Sequence, residues 1–274
     1  MTHQDPIGER AVRLGLASKD AVANALREQH SRSEAGRSQM LGALLVEMGL
    51  LTPAQLVRLL DDSPLSGFHL GEDAVRLAAQ LPHLIDKPQR TILFTSARGT
   101  QGVSTVTSQV ALALALMGEK RVLVVDANLR APEMHTKFRV PRAPGLAEAV
   151  SGRATLDACI AETGLPDLCV VPAGADSPDA LAALISESCE KLFHSLRDRF
   201  PFVLIDVPPM LDHPEAAVIA GRTDGVIVVA RAGRSKRTDQ VEVTRALAGL
   251  GVPHLGVVLA RVPRTLSAAL ERAV

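Results

Sequence analysis

The stretch ARGTQGVST, residues 97–105, joins an apolar run of strand length to a long apolar run of helical character. A glycine-rich turn at such a junction lets backbone N–H groups and a helix N-terminus converge on an anion, most often a phosphate. The full pattern for that turn is G-x-x-x-x-G-K-[ST]. Here Ala97 takes the first glycine position and Gly102 the second, while Ser104 takes the place of the hydroxyl that ligates Mg²⁺. Gly99 and Thr105 belong to the same cradle. Val103 stands where the pattern has lysine. The lysine reaches the β- and γ-phosphates as a point charge, whereas a valine offers only its backbone N–H. Two carboxylates complete the set: VLVVDANLR places Asp126, and FVLIDVPP places Asp206, at the end of an apolar run. Mg²⁺ is held by one or two carboxylates together with phosphate oxygens and water. The expected ligand is therefore a phosphate group with Mg²⁺, the metal falling to Ser104, Asp126 and Asp206.

These residues need a scaffold that brings strand ends together. From residue 90 onward, apolar runs of strand length recur at 91–96, 122–126, 168–172, 202–206, 225–230 and 255–260, with helical patterns between them. They are continuously apolar rather than alternating, which is the mark of parallel strands buried on both faces. The expected fold class is α/β, a doubly wound, mostly parallel sheet, whose ligands bind beyond the carboxyl ends of its strands.

A different pattern precedes the sheet. Residues 7–26 align with residues 41–60 at an offset of 34, with Gly8/Gly42, Val12/Val46, Gly15/Gly49, Leu16/Leu50 and Leu26/Leu60 identical. Each copy reads as two short helices, the first ended by Gly15 or Gly49 and the second capped by Ser18 or Thr52, with Pro53 at a first helical position. A polar linker is expected at 30–39 and a single helix near 71–81. The expected division is a small all-α module at 1–63, a linker and helix at 64–89, and the α/β domain at 90–274.

Composition narrows the function. Lys+Arg and Asp+Glu are both 30, so the formal net charge is zero, and the chain has six Phe, no Trp and no Tyr. That argues against a dedicated nucleic-acid binder and against base stacking on aromatic side chains. Cys159, Cys169 and Cys189 have neither disulfide-scaffold nor zinc spacing and read as buried reduced thiols. The opening MTHQDPIGERAVRLG has no apolar leader core, so a cytoplasmic chain is expected, reaching the membrane only through a partner. His135, His194 and His213 read as surface or loop residues, and Arg231, Arg234, Lys236 and Arg237 as a solvated turn.

Residues 90–262 resemble the bacterial tyrosine autokinases of capsule and exopolysaccharide synthesis, a branch of the MinD/ParA-like P-loop ATPases. TSARGTQGVST, VLVVDANLRAPEMH, VVPAGADSPDALAALI, FPFVLIDVPPML, TDGVIVVARAG and HLGVVLARV carry the resemblance, in order. The helical region is similar to the N-terminal module of type II secretion and pilus ATPases. The resemblance makes the expected ligand ATP or ADP and implies an ATP-dependent kinase domain beside an inner-membrane polysaccharide co-polymerase or export protein, assembling with copies of itself. Asp126 and Asp206 match the family's Mg²⁺-associated carboxylates, and Arg130 matches the Arg of its D-x-D-x-R run.

The departures are equally specific. Val103 replaces the loop lysine, giving a degenerate Walker A. Asn128 replaces the second Asp of D-x-D, and an amide is no general base. Ala260 stands where relatives carry an Asn near the adenine. The C-terminal Tyr cluster that the family autophosphorylates has no counterpart in TLSAALERAV. The E-x-x-R-x-x-R oligomerisation helix survives only as Asp73 and Arg76, with Ala79 in the last place. The expectation is a kinase-like regulator of exopolysaccharide chain length or export with weakened or lost phosphotransfer. One alternative is a ParA/MinD-like positioning ATPase. Another is an active ATPase in which Arg98, at the position of the MinD signature lysine, replaces the lost charge. The repeat units begin Pro6-Ile7-Gly8 and Met40-Leu41-Gly42 rather than Arg-Leu-Gly, and only the first ends in Gln, at Gln29 against Ser63. That favours a protein-docking module over a cyclic-di-GMP site.

Overall fold

The computed structural model describes residues 7–34, 41–52, 55, 56, 59, 72–99, 101–117, 121–165, 167–177 and 179–261. The chain opens with α1 (Ile7–Arg13), α2 (Lys19–Glu34) and α3 (Leu41–Glu47). The 34-residue repeat is a structural one. Gly15 and Gly49 end their helices with φ of 66° and 68°. In each copy the glycine N–H donates to the carbonyl three residues back and the next N–H to the one five back, Gly15 to Val12 and Leu16 to Ala11, Gly49 to Val46 and Leu50 to Leu45. Ser18 Oγ accepts from Ala21 N at 3.1 Å. Thr52 Oγ1 accepts from Gln55 N at 3.2 Å while Thr52 N donates to Gln55 Oε1 at 2.7 Å, a capping box. Ala11, Val22, Ala25, Leu44, Leu45, Leu51 and Leu59 form a separate small core. The linker expected from residue 30 begins later, because α2 runs on to Glu34; Pro53 lies outside the described residues.

The remaining elements alternate. In order they are α4 (Glu72–Leu84), β1 (Arg90–Thr95), α5 (Val103–Leu116), β2 (Val122–Asp126), α6 (Met134–Phe138), α7 (Leu146–Val150), α8 (Leu156–Cys159), β3 (Ala161–Glu162), β4 (Leu168–Val171), α9 (Ala180–Leu184), α10 (Glu187–Arg199), β5 (Phe202–Asp206), α11 (Pro214–Ala220), β6 (Gly225–Arg231), α12 (Arg237–Gly249) and β7 (His254–Ala260). The sheet order is β3-β4-β2-β5-β1-β6-β7. All pairings are parallel except β3 with β4.

Successive strand residues point to opposite faces, so each continuously apolar strand feeds two cores. Ile92, Phe94, Val122, Val124, Phe202, Leu204, Ile227 and Val229 share one core with α4 and α5. Leu93, Leu123, Val125, Val203, Ile205, Val226 and Val228 share the other with α7, α10, α11 and α12. The run 110–117, mostly Ala and Leu, lies within and just past α5 and is buried except at its last residue, Met117. Among the described residues no helix is long and apolar enough to cross a membrane.

Two expectations change. β7 is the sheet's edge rather than a fully buried strand: Val257 and Leu259 are 49% and 45% exposed. The two-residue β3, too short for any periodicity, is unanticipated. The thiols of Cys159, Cys169 and Cys189 are buried and free, and burial pushes each pKa up.

The small helical core makes a local test. Leu44→Ala empties a fully buried site and should cost about 2–5 kcal/mol. Hydrogen exchange should quicken across α1–α3 while β1 and β5 amides keep their protection; a matching loss in the strands would show one cooperative unit instead.

Candidate functional site

β1, β2, β5 and β6 end on the same edge of the sheet, and the glycine-rich turn leaves β1 there. Gly102 precedes α5 with φ 90°, a conformation open to glycine, and no side chain caps that helix N-terminus. Ser96 Oγ donates to Gly99 O at 2.8 Å, and Gln101 Nε2 to Arg98 O at 2.9 Å, fixing the turn's shape. A cavity of about 220 Å³ lies over the turn. Its walls include Gly99, Gly102, Val103, Ser104, Thr105 and Asn128.

Asp126 and Asp206 are register partners on neighbouring strands, and both are fully buried. Their environments differ. Asp126 accepts backbone N–H bonds from Met134 at 3.0 Å, Glu133 at 3.1 Å and Asn128 at 3.3 Å. It therefore pins the entry to α6; neither Asp126 nor Asp206 is among the residues that line the cavity, whereas Ser104, beside Asp206, is. Burial still raises its pKa to about 6, against the lowering effect of those three bonds. Asp206 has no such support: neither side-chain oxygen has a hydrogen-bond partner among the described residues. Burial and then the charge of Asp126 push its pKa well above the ordinary value, and the Ser104 hydroxyl only partly opposes them. A buried, unpartnered carboxylate beside a hydroxyl fits the ligand set of a divalent cation completed by water and phosphate. Among the described residues, no group of three or more His, Cys, Asp or Glu residues forms a metal cluster.

The other sequence candidates separate. Asn128 lines the cavity, but its Oδ1 accepts from Ala131 N at 3.3 Å. Arg130 does not line it. Its Nε donates to buried Glu215 at 2.6 Å, and it borders a neighbouring pocket with Leu129 and Arg142. Burial pushes the Glu215 pKa up, and the Arg130 contact, a backbone N–H and the charge of His213 together bring it below its ordinary value. Arg98 is also outside the lining: its guanidinium meets Asp212 at 3.0 Å, Glu242 at 3.1 Å and Asp239 at 3.8 Å. Asp212 in turn accepts the Gly99 N–H at 3.0 Å. Arg98 is thus committed to carboxylates rather than presented to an anion in the cavity. His135 is not a plain surface residue, since its Nδ1 is buried and, among the described residues, without a partner.

Three cations at the cavity were not expected there. Arg231, expected as part of a solvated turn, lines the cavity instead, and so does Arg261. Lys137 stands at its rim, 3.2 Å from Thr105 Oγ1 and 3.2 Å from Glu133. The signal for the two arginines was available: each follows the carboxyl end of a parallel strand, the rule that selected Asp126 and Asp206.

A parallel sheet with a glycine turn leaving β1 and carboxylates at the ends of β2 and β5 defines a P-loop α/β protein of the MinD/ParA type. Residues 89–244 match the AAA domain family. The chain is 34% identical over 182 residues to the tyrosine-protein kinase CpsD of Streptococcus agalactiae serotype Ia, covering 66% of this chain and 78% of that kinase. It superposes on the kinase domain of the Escherichia coli tyrosine kinase ETK with a TM-score of 0.66 at 28% identity, covering 69% of this chain and 75% of that one. MinD of Pyrococcus horikoshii OT3, solved with Mg-ADP, gives a TM-score of 0.55 at 26% identity, with 66% of this chain and 77% of that one covered. The chain belongs to the bacterial tyrosine-protein kinase family within that P-loop class.

The buried acid pair carries a pH signature. Both pKa values lie above those of an unfolded carboxylate, so the folded state holds more protons than the unfolded state above about pH 4, and stability falls as pH rises. Without metal, the thermal midpoint should drop as pH rises from 4 through 6. Asp206→Asn should flatten that slope in scanning calorimetry. A parent midpoint level from pH 4 to 8 would refute the assignment.

Proposed function

We propose that this chain binds a nucleotide with Mg²⁺ at the 97–105 turn and acts as a kinase-like regulator of capsule or exopolysaccharide assembly, with weakened or lost phosphotransfer. One observation carries the binding half: Asp206 is fully buried and, among the described residues, without a hydrogen-bond partner, and it lies beside Ser104, which lines the cavity over the turn. A carboxylate is costly to bury in that condition unless a cation completes it. A bound Mg²⁺ would supply Lewis-acid neutralisation of phosphate charge there. Ser104 and Asp206 would hold it, with Asp126 beside them already shared among backbone donors.

The chain's own groups account for the weakened half. Backbone N–H groups of the turn and the open N-terminus of α5 orient the phosphates. Val103 brings an aliphatic side chain to the cavity wall in place of an ammonium group. Asn128 takes no proton from an acceptor hydroxyl. Phosphoryl transfer relies on positioning and charge stabilisation, so both substitutions strike at what the protein must supply. None of the 274 residues is a Tyr, so no residue of this sequence serves as the acceptor tyrosine. The stronger likeness to tyrosine kinases than to MinD supports this reading over a positioning ATPase.

In the same proposal the helical repeat docks a protein partner, and an inner-membrane polysaccharide co-polymerase or export protein is the partner class. The chain then works on the cytoplasmic face of the membrane and assembles with copies of itself.

Calorimetric titration with Mg-ADP should show micromolar binding that Asp206→Ala abolishes. Transfer from labelled ATP to a tyrosine peptide should rise by roughly 10²–10³-fold in Val103→Lys/Asn128→Asp. Parent turnover equal to that of the repaired variant would defeat the weakened-catalysis half. No Mg-ADP binding at millimolar nucleotide would defeat the binding half.

A further inference from the structure

Among the described residues, five cationic side chains stand around the glycine turn, and three are already neutralised. Arg98 is held by Asp212, Glu242 and Asp239. Arg130 is held by Glu215, and Lys137 by Glu133. Arg231 and Arg261 differ. Both line the cavity with Gly102, Val103 and Ser104. Among the described residues neither guanidinium makes an ion pair or a hydrogen bond.

Strand pairing explains why two like charges meet there. Arg231 ends β6 opposite Ala260 of β7, and Arg261 is the next residue, so the two are diagonal neighbours. Ala232 N donates to Ala260 O at 3.1 Å, tying the two strand exits together. The turn after β6 fixes Arg231 further, its N–H donating to Ser235 Oγ at 2.8 Å and its carbonyl accepting from Arg234 N at 3.1 Å and Ser235 N at 3.0 Å. Desolvation, then the charges of Arg234 and Arg261, hold the Arg231 pKa below its usual value. Adjacent guanidinia without an acid between them repel each other, and an anion in the cavity would relieve that.

We propose that Arg231 and Arg261 form a two-arginine clamp for the phosphates of the bound nucleotide, supplying from the ends of β6 and β7 the positive charge that Val103 does not supply from the turn. This rests on the nucleotide-binding reading above. The guanidinium fork suits phosphate, since each head offers paired N–H donors to two oxygens. The charge arrives from a different side of the cavity than a loop lysine, so it serves binding more than the leaving and attacking oxygens.

The test is titration of the full chain with Mg-ATP, Mg-ADP, AMP and adenosine, comparing the parent with Arg231→Ala, Arg261→Ala, the double alanine variant and the double lysine variant. A charged hydrogen bond of about 1.5–3 kcal/mol predicts roughly a 10–100-fold rise in Kd for each single alanine variant with ADP. The loss should grow from AMP to ATP and be absent with adenosine. The double lysine variant, retaining charge without the fork, should fall between parent and double alanine. Arg234→Ala, from the same basic turn but outside the cavity lining, should bind as the parent does. Thermal midpoints matching the parent's confirm that each variant is folded. ADP binding unchanged in the double alanine variant overturns the clamp and leaves the nucleotide reading standing. Equal losses for adenosine and ADP overturn it as a phosphate site. A parent that binds none of the four overturns both.

Discussion

Two carboxylates buried side by side set the terms for the rest of the α/β domain. Asp126 and Asp206 occupy register positions on adjacent strands, where sheet geometry gives them no room to move apart. Strand spacing of about 5 Å in a low-dielectric interior makes two negative charges there strongly unfavourable. The fold resolves this unequally. Asp126 is absorbed into the backbone of the β2–α6 connection by three N–H donors, and Asp206 is left with Ser104 alone. One carboxylate thereby shapes a loop while its neighbour stays chemically available. That asymmetry turns a pair of strand-end acids into a site with a direction, facing the turn.

The turn itself is built for an anion but lacks the expected cation. Its backbone is conformationally complete, with Gly102 in the left-handed region and an uncapped helix behind it. Val103 then changes where positive charge must come from rather than whether the cradle forms. Loop, carboxylates and cations arise from different parts of the sheet, and the parallel strand ends bring them to one edge.

Much of this was legible in the amino-acid sequence. Continuous apolar runs gave 122–126 and 202–206 as strands with their final bounds, because strands buried on both faces allow no polar interruption. The same logic overreached at β7, where composition alone does not reveal that a strand is last in the sheet. The helical repeat was visible because its glycines and caps are local signals. The extension of α2 to Glu34 was hidden by polar residues that a solvent-facing helix tolerates. Asp126 and Asp206 were found because each carries its own strand. The pairing of Arg231 with Arg261 was not, because it depends on two strands being neighbours, which no local pattern states. The structure also separated Arg130 and Arg98 from the cavity by giving them acidic partners distant in sequence.

The contacts of Arg98 reach beyond charge. Its guanidinium touches two side chains of α12 and one residue after β5, and Asp212 grips the turn's own backbone at Gly99. The turn is thus guyed to the outer helical layer by a short linkage. A displacement of the turn at Arg98 must carry α12 with it or release its hold on Asp239 and Glu242. Arg98 thereby ties the turn's position to that of α12, through contacts that are all with acidic side chains.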